Sequence, residues 1–203
     1  MHSEIIFDVE TKKLFSDIEG NDPGDLGVSI VSLYKRKVDK GQKETEGKLL
    51  SFWEEDFDDM WSIFNSADRI IGFNSLGFDV PALLPYAPPE FAKLKHFDIM
   101  DEVKKEFGRR ISLDDIAKET LGSVKTDIGI NAVKYWEAGD QQSLTKLQKY
   151  CEADVLITRD VYDFAVREKN LKFKDKWNTL REVKLDFSYP VEEASANGQA
   201  GLF

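Results

Sequence analysis

The chain has 203 residues, of which 41% are hydrophobic and 33% charged, the profile of an ordinary soluble globular protein of one domain, with or without a tail. No apolar run approaches the roughly 20 residues a membrane helix needs, and the start, Met1-His2-Ser3-Glu4, lacks the basic segment of a secretory signal. The formal net charge of −10 argues against broad electrostatic adhesion to nucleic acid.

Cys151 is the only cysteine, so no disulfide can form within the chain and a reducing cytoplasm is the expected compartment. Two histidines, His2 and His96, lie too far apart in sequence for a histidine-type zinc site. Any metal here must be held by oxygen, which selects hard ions such as Mg2+ or Mn2+.

Residues 5–9 read as a buried first strand, and Asn21-Asp22-Pro23-Gly24 as a turn. Residues 27–37 alternate Val28, Ile30 and Tyr34 with small or polar residues and predict a second strand. A polar loop over 40–47 and a third strand over 48–53 complete an antiparallel meander. Phe57, Met60, Trp61 and Phe64 recur at helical spacing within 54–67. A short apolar strand over 69–73 and a helix opening at 80–84, with Pro81 in its first turn, come next. Residues 96–99 read as a strand, and Ser112-Leu113-Asp114-Asp115 opens a helix with a capping-box-like pattern. Helices are predicted over 130–138 and 143–169, then a β-hairpin over 170–187 with Asn178-Thr179 near its turn. Residues 188–203 are polar and read as a disordered tail after a domain spanning 1–187. The sum is an α/β fold: a mixed sheet flanked by helices.

Three acidic motifs carry the chemistry. In Ile5-Ile6-Phe7-Asp8-Val9-Glu10-Thr11, residues two apart on a strand face the same way, so Asp8 and Glu10 project together. Such a pair is either a solvated strand end or two repelling charges that a cation reconciles. In Asn74-Ser75-Leu76-Gly77-Phe78-Asp79, an apolar strand runs into a loop, and Asp79 is either a helix N-cap or a ligand. In Tyr150-Cys151-Glu152-Ala153-Asp154, Tyr150 and Asp154 share a helix face. There Asp154 is either paired with a basic residue at a polar edge or held on a core-facing stripe, where its charge must be neutralised.

Taken in order, these motifs resemble the DEDD superfamily of 3′→5′ exonucleases, in its tyrosine-bearing branch, whose pattern is Asp-x-Glu-Thr, Asn-x-x-x-Phe-Asp and Tyr-x-x-x-Asp. The histidine branch would place His at position 149, which is Lys149. His96-Phe97-Asp98-Ile99-Met100-Asp101, Ser112 to Ala117 and the hairpin after residue 170 are similar to bacterial ribonuclease H-like proteins of this superfamily. Asp98 and Asp101 read as helix-capping or loop acids rather than ligands.

The resemblance implies a ribonuclease H-like three-layer fold and two-metal hydrolysis of phosphodiesters from a nucleic-acid 3′ end. Asp8 would bridge two Mg2+ or Mn2+ ions, with Glu10, Asp79 and Asp154 completing the set and the Tyr150 hydroxyl orienting the attacking water. Thr11, Lys12, Leu14 and Phe15 would cradle the terminal nucleotide, and Asn74 or Phe78 the one before it. Lys125, Lys134, Arg109, Arg110, Tyr135 and Trp136 are candidate strand contacts that otherwise read as solvated or core side chains.

Four such acids and two divalent ions leave −6 of the net charge, so the substrate must be gripped locally. Gln199-Ala200-Gly201-Leu202-Phe203 resembles the pentapeptide with which bacterial proteins bind the sliding clamp. Gln199 would hydrogen-bond the clamp, with Leu202 and Phe203 filling an apolar pocket, and the tether would raise local concentration on DNA. The other reading of these residues is a frayed end. A clamp-binding tail favours DNA as substrate, while the active-site motifs do not decide between DNA and RNA; the alternatives are an exoribonuclease and a catalytically inert binding module.

Overall fold

The computed structural model of the protein describes residues 1–122 and 129–189, with only the backbone path for 129 and 130. Lys125 and the tail with Gln199, Leu202 and Phe203 lie outside the described residues. No helix among the described residues is long and apolar enough to cross a membrane.

Strand β1 (His2–Thr11) is central to a five-stranded sheet ordered β3-β2-β1-β4-β5, with β2 at Val28–Val38, β3 at Glu44–Trp53, β4 at Arg69–Gly72 and β5 at His96–Asp98. β1 runs antiparallel to β2 and parallel to β4, and β4 runs parallel to β5. The C-terminal ends of β1, β4 and β5 therefore open at one edge, where α/β sheets place their ligand sites.

Alternation along β1 sorts its side chains between two cores. Ile5, Phe7 and Val9 face helix α1 (Phe57–Asn65), whose Met60, Trp61 and Phe64 pack there with α2 (Asp79–Leu83). Ile6 faces α6 (Gln141–Glu168), α3 (Ile99–Phe107), α4 (Leu113–Leu121) and the hairpin of β6 (Asn170–Lys174) and β7 (Leu180–Lys184). Asp8 and Glu10 share the parity of Ile6 and so belong to the α6 side. Helix α5 (Gly129–Ala138) packs on α6.

Helix α3 was not expected, because residues 96–99 read only as a strand. It starts where Asp98, its N-cap, accepts the amides of Met100 and Asp101, and it stops at Gly108 in the left-handed region. Strand β3 begins at Glu44, inside the stretch expected to be loop. As an edge strand it is exposed at its start, so Glu44 and Glu46 carry no apolar signal. Helix α6 runs two residues earlier than expected, capped by Asp140, and ends at Glu168 because Lys169 turns left-handed.

At the N-terminal end of β1 lies a buried charge network. Glu4, with no exposed surface, meets Arg36 at 2.8 Å and accepts the hydroxyls of Tyr162 (3.2 Å) and Tyr189 (2.8 Å). Arg36 also donates to both oxygens of Asp163, at 2.9 and 2.6 Å. Arg69 donates to the Tyr162 hydroxyl and to the carbonyls of Phe187 and Ser188, which moors the segment after the hairpin.

Candidate functional site

A register shift between Glu10 and Thr11 breaks the β1–β2 ladder at the C-terminal end of β1. Bulges of this kind re-aim side chains beside functional sites. Ligand atoms of Asp8, Glu10 and Cys151 all lie within 4.8 Å of one another. Cys151 is buried on α6, and its thiol donates to the Asp8 carbonyl at 3.5 Å and the Asp8 carboxylate at 3.7 Å.

The same helix supplies Asp154, on a buried stripe formed by Leu147, Cys151, Asp154, Val155 and Thr158. Asp154 is 6% exposed, and it lines a cavity of about 420 Å³ together with Asp8, Phe73, Asn74, Met100, Arg110 and neighbouring residues. Asp154 thus faces inward from α6 rather than standing at a solvated edge. Tyr150, one turn earlier, is half-buried.

Asp79 is not an N-cap. It is the first residue of α2, follows Phe78 in the capping position, and makes no side-chain cap bond there. Its Oδ1 instead accepts the Val9 amide at 3.1 Å, the backbone link between Asp8 and Glu10. This hydrogen bond fastens the strand-to-helix loop to β1 and delivers a third acid to the end of the strand. Gly72 makes the loop possible, because a Cβ there would sit 2.4 Å from the side chain of Ser75.

Electrostatics report the same convergence. Burial pushes the Asp79 carboxyl up to about 7 against the Val9 hydrogen bond, and the charges of Asp98 and Asp154 add to the rise. The Tyr150 hydroxyl is pushed up by burial and then by Asp154, Glu10 and Asp8. The Cys151 thiol is pushed up by burial, then by Asp8 and Glu10, and so keeps its proton. Four acids and one tyrosine, far apart in sequence, thus act on one another across a single edge of the sheet.

Asp98 organises the surrounding backbone: besides capping α3 it accepts the amides of Asn74 and Leu76, at 2.8 and 2.9 Å. Its capping-and-loop role matches the sequence reading. Asn74 adopts positive φ, and its side-chain oxygen accepts from Arg110.

The expected nucleotide contacts are placed as follows. Phe15 is exposed and meets Phe78 edge to face at 6.1 Å. Leu14 is half-buried at the head of a short 3-10 turn. The Thr11 hydroxyl donates to the Lys13 carbonyl. Lys12 pairs with Glu54 and lies over the Trp136 ring at 5.3 Å, so its charge is already engaged. Trp136 in turn stacks on Trp53, and Tyr135 packs with it against the small core around Ile30 and Leu147.

Sequence reasoning used Cys151 only as a redox indicator and missed its place beside Asp8. The signal was available in the helical stripe, which runs from Leu147 through Cys151 to Asp154 and Val155.

The donor set fits hard divalent cations. The cysteine in the cluster is held as a thiol, so the available ligand atoms are carboxylate oxygens, and clustered like charges with a raised carboxyl are what a cation offsets.

A mixed five-stranded sheet in the order 3-2-1-4-5, packed against helices, is the ribonuclease H-like fold. The chain belongs to the RNase H superfamily: the RNase_H_2 family matches residues 5–166. Members are typically phosphodiester hydrolases that use divalent metals. No curated protein matches the chain.

Proposed function

We propose that the protein is a 3′→5′ exonuclease of the tyrosine-bearing DEDD branch, acting on single-stranded or frayed DNA and releasing nucleoside 5′-monophosphates. The observation that carries this reading is the arrival of Asp8, Glu10, Asp79 and Asp154, with Tyr150, at one end of β1.

Asp8, Glu10, Asp79 and Asp154 would hold two Mg2+ or Mn2+ ions, which supply positive charge for the attacking water and for the departing oxygen. The Tyr150 hydroxyl, kept protonated by burial and by its acidic neighbours, acts as a hydrogen-bonding guide for the water and not as a base. Water adds to phosphorus, the bond from phosphorus to the 3′-oxygen of the preceding nucleotide breaks, and that oxygen takes up a proton. Phe15, edge to face with Phe78 at 6.1 Å, would offer an aromatic surface to the terminal base, a sequence-tolerant way to hold it. Thr11, Lys12 and Leu14 would cradle the same nucleotide, and Asn74 or Phe78 would contact the one before it.

The test is digestion of 5′-labelled single-stranded DNA and RNA with Mg2+ or Mn2+. A ladder shortening from the 3′ end of DNA, abolished by EDTA, is the expected result. Preferential RNA shortening would make the enzyme an exoribonuclease, and no cleavage of either would make it a binding module.

The same reading sets the protein in the cytoplasm, with residues 199–203 bound to a sliding clamp through Gln199, Leu202 and Phe203. Purified clamp should co-elute with the full chain and not with a chain lacking those five residues. Equal co-elution would remove the tether from the proposal.

A further inference from the structure

We propose that the groove between α4 and the β6–β7 hairpin is a second nucleic-acid subsite, which holds the phosphodiester backbone of the strand leading into the acidic cavity. The proposal deepens the nuclease reading and rests on it for the identity of the ligand.

The groove is a cavity of about 500 Å³, and it shares Arg110, Ile111 and Ser112 with the cavity that Asp8 and Asp154 line. The two cavities therefore adjoin along these three residues. In a protein of net charge −10, the groove is lined by Arg109, Arg110, Lys118, Lys174 and Lys176.

Its acids are largely engaged. Glu119 pairs with Lys174 at 3.1 Å, Asp175 pairs with Arg181 at 2.8 Å and caps the hairpin turn, and Asp115 is tied to Ser112 at the start of α4. Arg109, Arg110, Lys118 and Lys176 have no carboxylate partner among the described residues. Arg110 instead touches two neutral acceptors, the Asn74 side-chain oxygen and the Met100 sulfur (3.4 Å), which point its undiminished charge along the seam between the cavities. Unneutralised cations along one groove suit a polyanion, and planar guanidinium groups suit phosphate.

The walls are rigid enough to serve. Thr120 exchanges hydrogen bonds with the backbone of Lys172 at 2.8 and 2.9 Å, and Phe107 packs on Phe173 at 4.7 Å, locking helix to hairpin. At the hairpin tip Trp177 is 66% exposed, between the groove residues Lys176 and Asn178. A large exposed indole at the mouth of a basic groove is a stacking platform for an unpaired base.

The test measures binding of a 5′-fluorescein-labelled deoxyoligonucleotide, long enough to span both cavities, by anisotropy in EDTA. The wild type is compared with Lys118→Glu/Lys176→Glu, with Trp177→Ala, and with Lys118→Arg/Lys176→Arg as the folded control. The charge reversal should weaken binding about tenfold or more and reduce the slope of log Kd against log salt by about 1.4, two single-strand phosphate contacts. Trp177→Ala should weaken binding about tenfold. The arginine pair should bind as the wild type does, and metal-dependent hydrolysis of a dinucleotide should be unchanged in all three.

Binding that ignores these substitutions, or a wild type that does not bind, overturns the groove even if the enzyme digests DNA. Binding that responds to them without any hydrolysis in Mg2+ or Mn2+ leaves the groove standing and removes the nuclease reading.

Discussion

Asp8→Asn is expected to reduce metal-dependent hydrolysis by about 10³-fold or more and to abolish the stabilisation that Mn2+ gives the wild type. Both effects have one origin. Ligand atoms of Asp8 lie within 4.8 Å of those of Glu10 and Cys151, and Asp8 shares a cavity with Asp154, which places it where a cation between the acids would be held. Asparagine keeps the shape and removes the charge. Loss of a bridging ligand removes charge stabilisation where the reaction needs it, and such losses reach several kcal/mol. Mn2+ should raise the Tm of the wild type by mass action and leave the Tm of Asp8→Asn nearly unchanged. Calorimetry with and without Mn2+, beside the nuclease assay, checks all of this. A variant that keeps its activity, or that still gains stability from Mn2+, would show that Asp8 does not hold the metal.

Arg36→Met carries the largest expected effect on stability. It would leave Glu4 with no exposed surface and no countercharge, beside two tyrosine hydroxyls that satisfy it only in part. Burial opposes the charge of Arg36, but hydrogen bonds and charge from Asp163 and then Glu4 more than restore it, so the guanidinium is held firmly ionised. Removing one member of a buried pair costs roughly 3–5 kcal/mol, about 6–20 °C in Tm. Replacing both, as Glu4→Leu/Arg36→Met, removes the stranded charge and should recover much of the loss. Urea titration of the three proteins decides it. A single variant that loses less than about 1 kcal/mol would mean that water or rearrangement reaches Glu4.

The parts legible in sequence were those where one residue's neighbours along the chain determine its surroundings. Alternation in Ile5-Ile6-Phe7-Asp8-Val9-Glu10 gave both the strand and the shared direction of its acids. Helical spacing in α1 and α6 gave their buried faces, including the stripe that carries Asp154. Contacts between distant backbone and side chain were not legible. The bond from the Val9 amide to Asp79 leaves no mark on Val9, because any residue there offers the same N–H. Glu4 reads as a polar strand start, yet it is fully buried against Arg36 and two tyrosines, one of them 185 residues away. Helix α3 was obscured because its apolar positions, Ile99, Met100 and Val103, are few and its other residues are charged. The groove beside it draws on two distant segments, 107–119 and 174–178, so it exists only in three dimensions.

The mooring of Tyr189 beside Glu4 gives the molecule a polarity of its own. Glu4 and Glu10 are six strand positions apart, about 20 Å along β1. Tyr189 is therefore moored at the rear of the domain while the acids open at the front.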